Sequence, residues 1–236
     1  MKLTRQLRST LRTMLYRSVV FLKLPLSWQA GLLPKHLFAT EILTIPLDRI
    51  TLYSVTDPTP PKKSYRFCFP TEEEKKMLPI TSIHSVMTDD NPRSCVHNTV
   101  RDLFIEGKDF KETSQYARMM QALSDGITLY DCQTEEDVQR YFEHLDKAYQ
   151  SIRSHGYKSQ VELGNSPRDE TRIHITEDGS LCLGSNGNHR IRIAELLGIQ
   201  EIPCNIYGVN INWLVALSKQ SKLPPHSALL DWMNCQ

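Results

Sequence analysis

Gly187-Asn188-His189-Arg190-Ile191-Arg192-Ile193-Ala194, continued by Leu196-Leu197-Gly198 and Glu201-Ile202-Pro203, is the stretch that decides how this chain is read. A glycine opens directly into a short amphipathic segment whose first residues are Asn, His and Arg. The free N–H groups of a helix start point outward, and the helix dipole favours an anion. Arg190 and Arg192 add fixed positive charge. Glycine at 187 permits a tight turn and lets an anion approach the backbone. The pattern predicts a phosphate-binding loop built from Ser185, Asn186, Gly187, Asn188, His189 and Arg190. Asn188 is the expected N-cap. His189 either donates to phosphate or caps the loop. Arg190 either holds phosphate or pairs with a carboxylate. Arg192, two residues further on, points to another side of the helix as a second candidate cation.

Outward from the loop, the neighbouring elements follow from periodicity. Thr171-Arg172-Ile173-His174-Ile175 alternates, Glu177-Asp178-Gly179-Ser180 is a turn, and Leu181-Cys182-Leu183 returns, so a hairpin delivers the chain to Gly184. Ile202 to Tyr207 reads as the strand after the binding helix, and Gln160-Val161-Glu162-Leu163 as a short strand before the hairpin. Further upstream the pattern is helical. Val100, Leu103 and Phe104 mark one short helix, and Thr113 to Ser124 a second with Tyr116, Met119, Met120 and Leu123 on one face. Thr134-Glu135-Glu136-Asp137 is a capping box. It leads a long helix through Val138, Tyr141, Phe142, Leu145, Tyr149 and Ile152, with Gly156 as its C-cap. The aromatic stripe on that helix reads as core rather than as a base-stacking platform. Nothing repeats at a fixed period.

The run G-N-H-R-I-R-I-A-x-L-L-G-x-x-E-I-P resembles the nucleotide-binding signature of the ParB/sulfiredoxin-like superfamily. Leu145 to Gln160, with Ser151-Ile152, Gly156 and Gln160, is similar to that superfamily's L-x-x-S-I-x-x-x-G-x-x-x-Q element. The two matches cover roughly residues 140 to 210, under a third of the chain. The region from about Asn98 to Tyr130 is similar to uncharacterised microbial proteins that share this C-terminal domain. The resemblance implies a small α/β (α+β) mixed-sheet domain whose G-N-H-R loop holds nucleotide phosphates, with ATP or CTP and Mg²⁺ as cofactors. Members hydrolyse CTP as a DNA-clamp switch, phosphorylate free serine, or use ATP to repair a hyperoxidised cysteine. Fold therefore leaves the second substrate open. Partition proteins carry a helix-turn-helix domain after the nucleotide domain, and the short stretch after Gly208 speaks against that role here. No cysteine-bearing loop of the sulfiredoxin kind is recognisable, so Cys182 reads as a buried, inert thiol.

Composition bounds the rest. The chain has 236 residues, is 40% hydrophobic and carries a net charge of +1, which argues against a surface built wholly for nucleic acid. Its 6 cysteines show no C-x-x-C pair, so they read as structural thiols of a reducing compartment. Charge is uneven. Lys2, Arg5, Arg8, Arg12, Arg17, Lys23 and Lys35 precede the first acidic residue, Glu41, while Leu3, Leu7, Leu11, Met14, Leu15 and Val19 recur at helical spacing. Such a basic amphipathic helix over residues 1–24 packs its apolar stripe on the body or lies on an anionic membrane surface. Neither a cleaved signal peptide nor a spanning segment fits. From Pro46 to about Asn98 the chain reads as irregular. Ile42, Ile45, Ile50, Leu52 and Tyr53 supply a strand or strap, Asp57 to Lys63 a turn-rich linker, and Thr71 an N-cap. The expected organisation is residues 1–97 as a basic helix and wrapping region. Residues 98–236 then form a helical segment plus the nucleotide-binding domain, and the N-terminal half is mainly helical.

There is no Walker A run, no H-E-x-x-H and no G-x-S-x-G. His189, Glu162 and Glu170 are the catalytic candidates, with Glu162 and Glu170 the nearest to a base or a magnesium ligand, and no motif names a metal site. The leading function is an NTP-dependent phosphotransferase of kinase type, or a nucleoside triphosphatase, in the cytoplasm and in reach of the membrane surface. The alternative is a non-catalytic nucleotide-sensing or ParB-like DNA-binding module. The acceptor, as second substrate, is unspecified.

Overall fold

The computed structural model describes residues 42–54, 68–69, 71–79 and 92–235. The basic helix expected over residues 1–24 and the linker at 57–63 lie outside these described residues.

The fold is mixed α/β. Strands β1 (Ile42–Pro46), β2 (Ile50–Ser54), β3 (Cys68–Phe69), β4 (Met77–Pro79), β5 (Thr171–Ile175), β6 (Leu181–Leu183) and β7 (Glu201–Asn210) form one sheet in the order β1-β7-β5-β6-β2-β4. Pairing is antiparallel for β1 with β7, β5 with β6 and β2 with β4, and parallel for β5 with β7 and β2 with β6. β3 adds to the far end of β7, pairing Phe69 with Asn210. The helices are α1 (Pro92–Phe104), α2 (Ser114–Ser124), α3 (Glu135–His155), α4 (Asn188–Leu196), α5 (Ile211–Ser221) and α6 (Pro225–Asn234).

Alternation along β5 sends Ile173 and Ile175 to one face of the sheet. There they join Leu181, Leu183, Ile202 and Ile206 under Ile191 and Ala194 of α4, Ile211, Leu214 and Val215 of α5, and Leu229 of α6. A second core lies outside α4. Its Ile193 packs with Val100 of α1, Met119 of α2, and Val138, Phe142, Leu145 and Ile152 of α3. Helix α4 is thus held between sheet and helical layer, and its N-terminal loop is fixed from both sides. On the other face of the sheet, Phe69, Met77 and Cys182 pack with Leu52.

Local signals set most helix ends. Thr134 accepts from the Asp137 N–H while the Asp137 carboxylate accepts from the Thr134 N–H, the capping box read from sequence. Gly156 ends α3 with φ 75°, its N–H bonded to the Ile152 carbonyl. Thr113, not a residue of the helix itself, caps α2. Two local expectations are corrected, at residues 160–163 and at Thr71, and one open alternative is decided. Residues 160–163 form turns rather than a strand, because Gln160 gives its N–H to Glu170 instead of to a neighbouring strand. Ile42–Pro46 and Ile50–Ser54, expected as a strand or a strap, are paired sheet strands, since Leu43 registers with Cys204 and Tyr53 with Leu183. Thr71, expected as an N-cap, is instead the first residue of a 3-10 turn, Thr71–Lys76. The boundary drawn at 97/98 falls inside α1. Among the described residues, no helix is long and apolar enough to cross a membrane.

Candidate functional site

Strand β6 ends at Leu183, and Gly184 to Gly187 carry the chain into α4. Gly187, not Asn188, is the N-cap: it adopts φ 90°, a left-handed conformation, and places Asn188 in the first helical turn. A Cβ at Gly187 would stand 2.4 Å from Thr171 Oγ1 and 2.9 Å from Thr171 Cα. Glycine is therefore required both by φ and by the approach of β5. Having no side chain, Gly187 provides no side-chain cap to the first turn. The first intrahelical acceptance is at the Gly187 carbonyl, from the Ile191 N–H at 2.9 Å, so the N–H groups of Asn188, His189 and Arg190 precede the helical ladder.

The loop is sewn to the chain entering β5. Asn186 Nδ2 donates to the carbonyls of Asp169 (3.0 Å) and Glu170 (3.1 Å), and the Arg172 N–H donates to the Asn186 carbonyl at 3.3 Å. Asn188 Nδ2 donates to the Ser185 carbonyl at 2.9 Å. Both asparagine side chains thus shape the loop, and Ser185 is its exposed member.

Arg190 turns from the first turn of α4 toward Glu170. Its Nη1 lies 3.1 Å from Glu170 Oε1, its Nη2 donates to the Lys158 carbonyl at 2.9 Å, and its guanidinium stacks 4.5 Å over the Tyr157 ring. Glu170 is fully buried and also accepts from the N–H of Gln160 (2.7 Å) and of Thr171 (3.2 Å). Tyr157 donates to or accepts from Thr171 Oγ1 at 2.8 Å, and burial lifts its phenol far above the ordinary value. Gln160 and Arg190, thirty positions apart in sequence, therefore meet at the Glu170 carboxylate.

His189 points the other way, into the helical layer. Its Nε2 lies 3.0 Å from Gln115 Oε1, and Gln115 Nε2 donates to the Tyr141 hydroxyl at 2.7 Å. The Tyr141 hydroxyl is 3.4–3.5 Å from both ring nitrogens, too long for a strong bond. Although His189 keeps some exposed surface, its ring is densely surrounded by protein, and that desolvation pulls its pKa from 6.5 down to about 4. Tyr130, at φ 54° in the turn before α3, packs its ring 5.3 Å from that of Tyr141.

The remaining candidates lie apart. Arg192 is buried and pairs with Glu195 at 2.7 Å. Glu162 is exposed and closes a local turn, accepting from the Ser159 N–H and hydroxyl at 2.7 Å each, which lowers its pKa. Arg190 and Glu170 meet beside the loop, whereas His189 faces the helical layer and Glu162 and Arg192 stand apart. Gln115, Tyr141 and Tyr157 were not legible as site residues, because no fixed spacing links them to the G-N-H-R run. Among the described residues, no group of three His, Cys, Asp or Glu side chains converges to hold a metal.

Comparison with protein-family models, with curated proteins and with solved structures gives no match.

Proposed function

We propose that this chain binds a nucleoside triphosphate, ATP or CTP with Mg²⁺, through the loop Ser185–Arg190, and uses it as a phosphotransferase or nucleoside triphosphatase. One observation carries the reading. Helix α4 starts at a left-handed glycine that offers no side-chain cap, so its first-turn N–H groups precede the helical ladder at a loop held rigid from both sides. Oriented N–H groups on a rigid support suit an anion, because little reorganisation is needed on binding. Arg190 contributes less free charge than the sequence implies, since Glu170 already neutralises it. Backbone N–H groups and the helix dipole are then the main source of phosphate affinity.

A second reading, a nucleotide-sensing or ParB-like nucleic-acid module without chemistry, is favoured by a different observation. Both nominated carboxylates have structural partners: Glu170 holds Arg190 and two N–H groups, and Glu162 holds Ser159. A panel of nucleoside triphosphates with magnesium, read first by thermal shift and then by release of labelled phosphate, separates the cases. A rise in melting temperature with turnover supports the enzyme, and a rise without turnover supports the sensor. No rise with any nucleotide refutes both.

A further inference from the structure

Gln115 is fully buried although it is an amide, and it stands on α2, over seventy positions before the loop in sequence. Its two ends are both used. The amide nitrogen donates to the Tyr141 hydroxyl at 2.7 Å, which leaves the carbonyl oxygen to accept, and the group facing that oxygen at 3.0 Å is His189 Nε2. An acceptor facing Nε2 requires the proton to sit there. A neutral imidazole protonated on Nε2 has its lone pair on Nδ1. We propose that Gln115 and Tyr141 are positioning residues that hold His189 as the neutral Nε2–H tautomer, leaving Nδ1, 3.5 Å from the Tyr141 hydroxyl, as the ring's hydrogen-bond acceptor. This rests on the phosphate-loop reading for its consequence, though not for its geometry.

The consequence is chemical. An imidazole held in this state adds no positive charge to the phosphate site. Its Nδ1 lone pair repels a phosphate oxygen and attracts a donor, which is the property of a base that receives a proton from an acceptor hydroxyl or an attacking water. The groups facing the ring agree with a neutral state. Helix α2 presents the uncharged amide of Gln115, and α3 presents Tyr141, whose phenol burial makes still harder to ionise. Behind Tyr141, the turn before α3 places Tyr130 against the Tyr141 ring, likewise shifted upward by burial. Arg190, next in sequence, is turned away onto Glu170. The reversed Gln115 amide would donate to Nε2 and demand the Nδ1–H tautomer, so the two arrangements make opposite predictions.

Imidazole-nitrogen NMR on the full chain labelled with ¹⁵N-histidine, recorded without nucleotide, decides between them, with the His189 signals assigned by their loss in His189→Asn. The expected result is a protonated Nε2 and a pyridine-type Nδ1, still neutral at pH 6. Gln115→Met should turn the single tautomer into a mixture. Gln115→Glu, placing a carboxylate against Nε2, should raise the titration midpoint of His189 by at least about one pH unit, or tenfold in proton affinity. A protonated Nδ1 in the wild-type chain overturns the proposal, as does a tautomer and titration unchanged in both Gln115 variants. Because no nucleotide is present, these outcomes are distinct from a failure of nucleotide binding.

Discussion

Replacing Arg190 by alanine should destabilise the protein as well as weaken any phosphate site. Glu170 is fully buried, and its Oε1 faces Arg190 Nη1 at 3.1 Å, with Arg190 only 17% exposed. Removing one partner of a buried pair typically costs about 3–5 kcal/mol, because the remaining charge stays desolvated. Here the carboxylate keeps two N–H donors, from Gln160 and Thr171, which brings the cost to or just below the lower end of that range: about 2–3 kcal/mol. For a chain of this size that corresponds to a fall in melting temperature of roughly 5–10 °C. The charge argument makes a second, sharper demand. Arg190→Met combined with Glu170→Gln removes the pair without stranding a carboxylate, so the double variant should be more stable than Arg190→Met alone. Thermal and urea denaturation of the wild type, both single variants and the double variant give the comparison. An Arg190→Ala melting temperature within about 2 °C of wild type, or a double variant no better than Arg190→Met, refutes the reasoning.

Further outcomes follow from the same geometry. Gly187→Ala must place a Cβ at φ 90° and within 2.4–2.9 Å of Thr171, so it should cost about 2–4 kcal/mol of stability; urea unfolding within about 0.5 kcal/mol of wild type would contradict this. His189 has a pKa of about 4 in the folded chain against 6.5, so between those values the unfolded chain binds a proton that the folded chain does not. Stability from this group is therefore present above about pH 6.5 and lost as pH falls toward 4. The loss is about 2 kcal/mol after discounting for partial exposure, and comparison of wild type with His189→Gln at pH 7 and pH 5 isolates it. Leu229→Ala, at a fully buried position where α6 meets the sheet, should lose about 3 kcal/mol in the same assay.

What could be read from the sequence divides by range. The Thr134–Asp137 box, the Gly156 cap and the hairpin around Glu177-Asp178-Gly179-Ser180 depend on residues a few positions apart, and they form where expected. The loop before α4 lies where the local pattern predicts it, but its cap is not Asn188, although a side-chain oxygen is the commoner cap. The left-handed glycine takes that position instead. β1 and β2 could not be assigned to the sheet from local pattern, since their partners β7 and β6 lie more than a hundred residues away. Long-range pairing also decides Arg190: the alternative of a carboxylate partner was visible, but nothing in the sequence singles out Glu170, twenty positions earlier and across a turn. The C-terminal helices carry an unused local signal, the N-cap Asn210 followed by Ile211, Leu214 and Val215 at helical spacing.

The central claim is that phosphate is held by the backbone of the Ser185–Arg190 loop, and backbone amide NMR during titration with ATP–Mg²⁺ or CTP–Mg²⁺ tests it most directly. The amide signals of Gly187, Asn188, His189 and Arg190 should shift together and saturably, more than those of any other segment, because these N–H groups stand at and before the first helical bond. Amide signals in this loop that stay fixed while either nucleotide binds elsewhere, or that move with neither nucleotide, would contradict it.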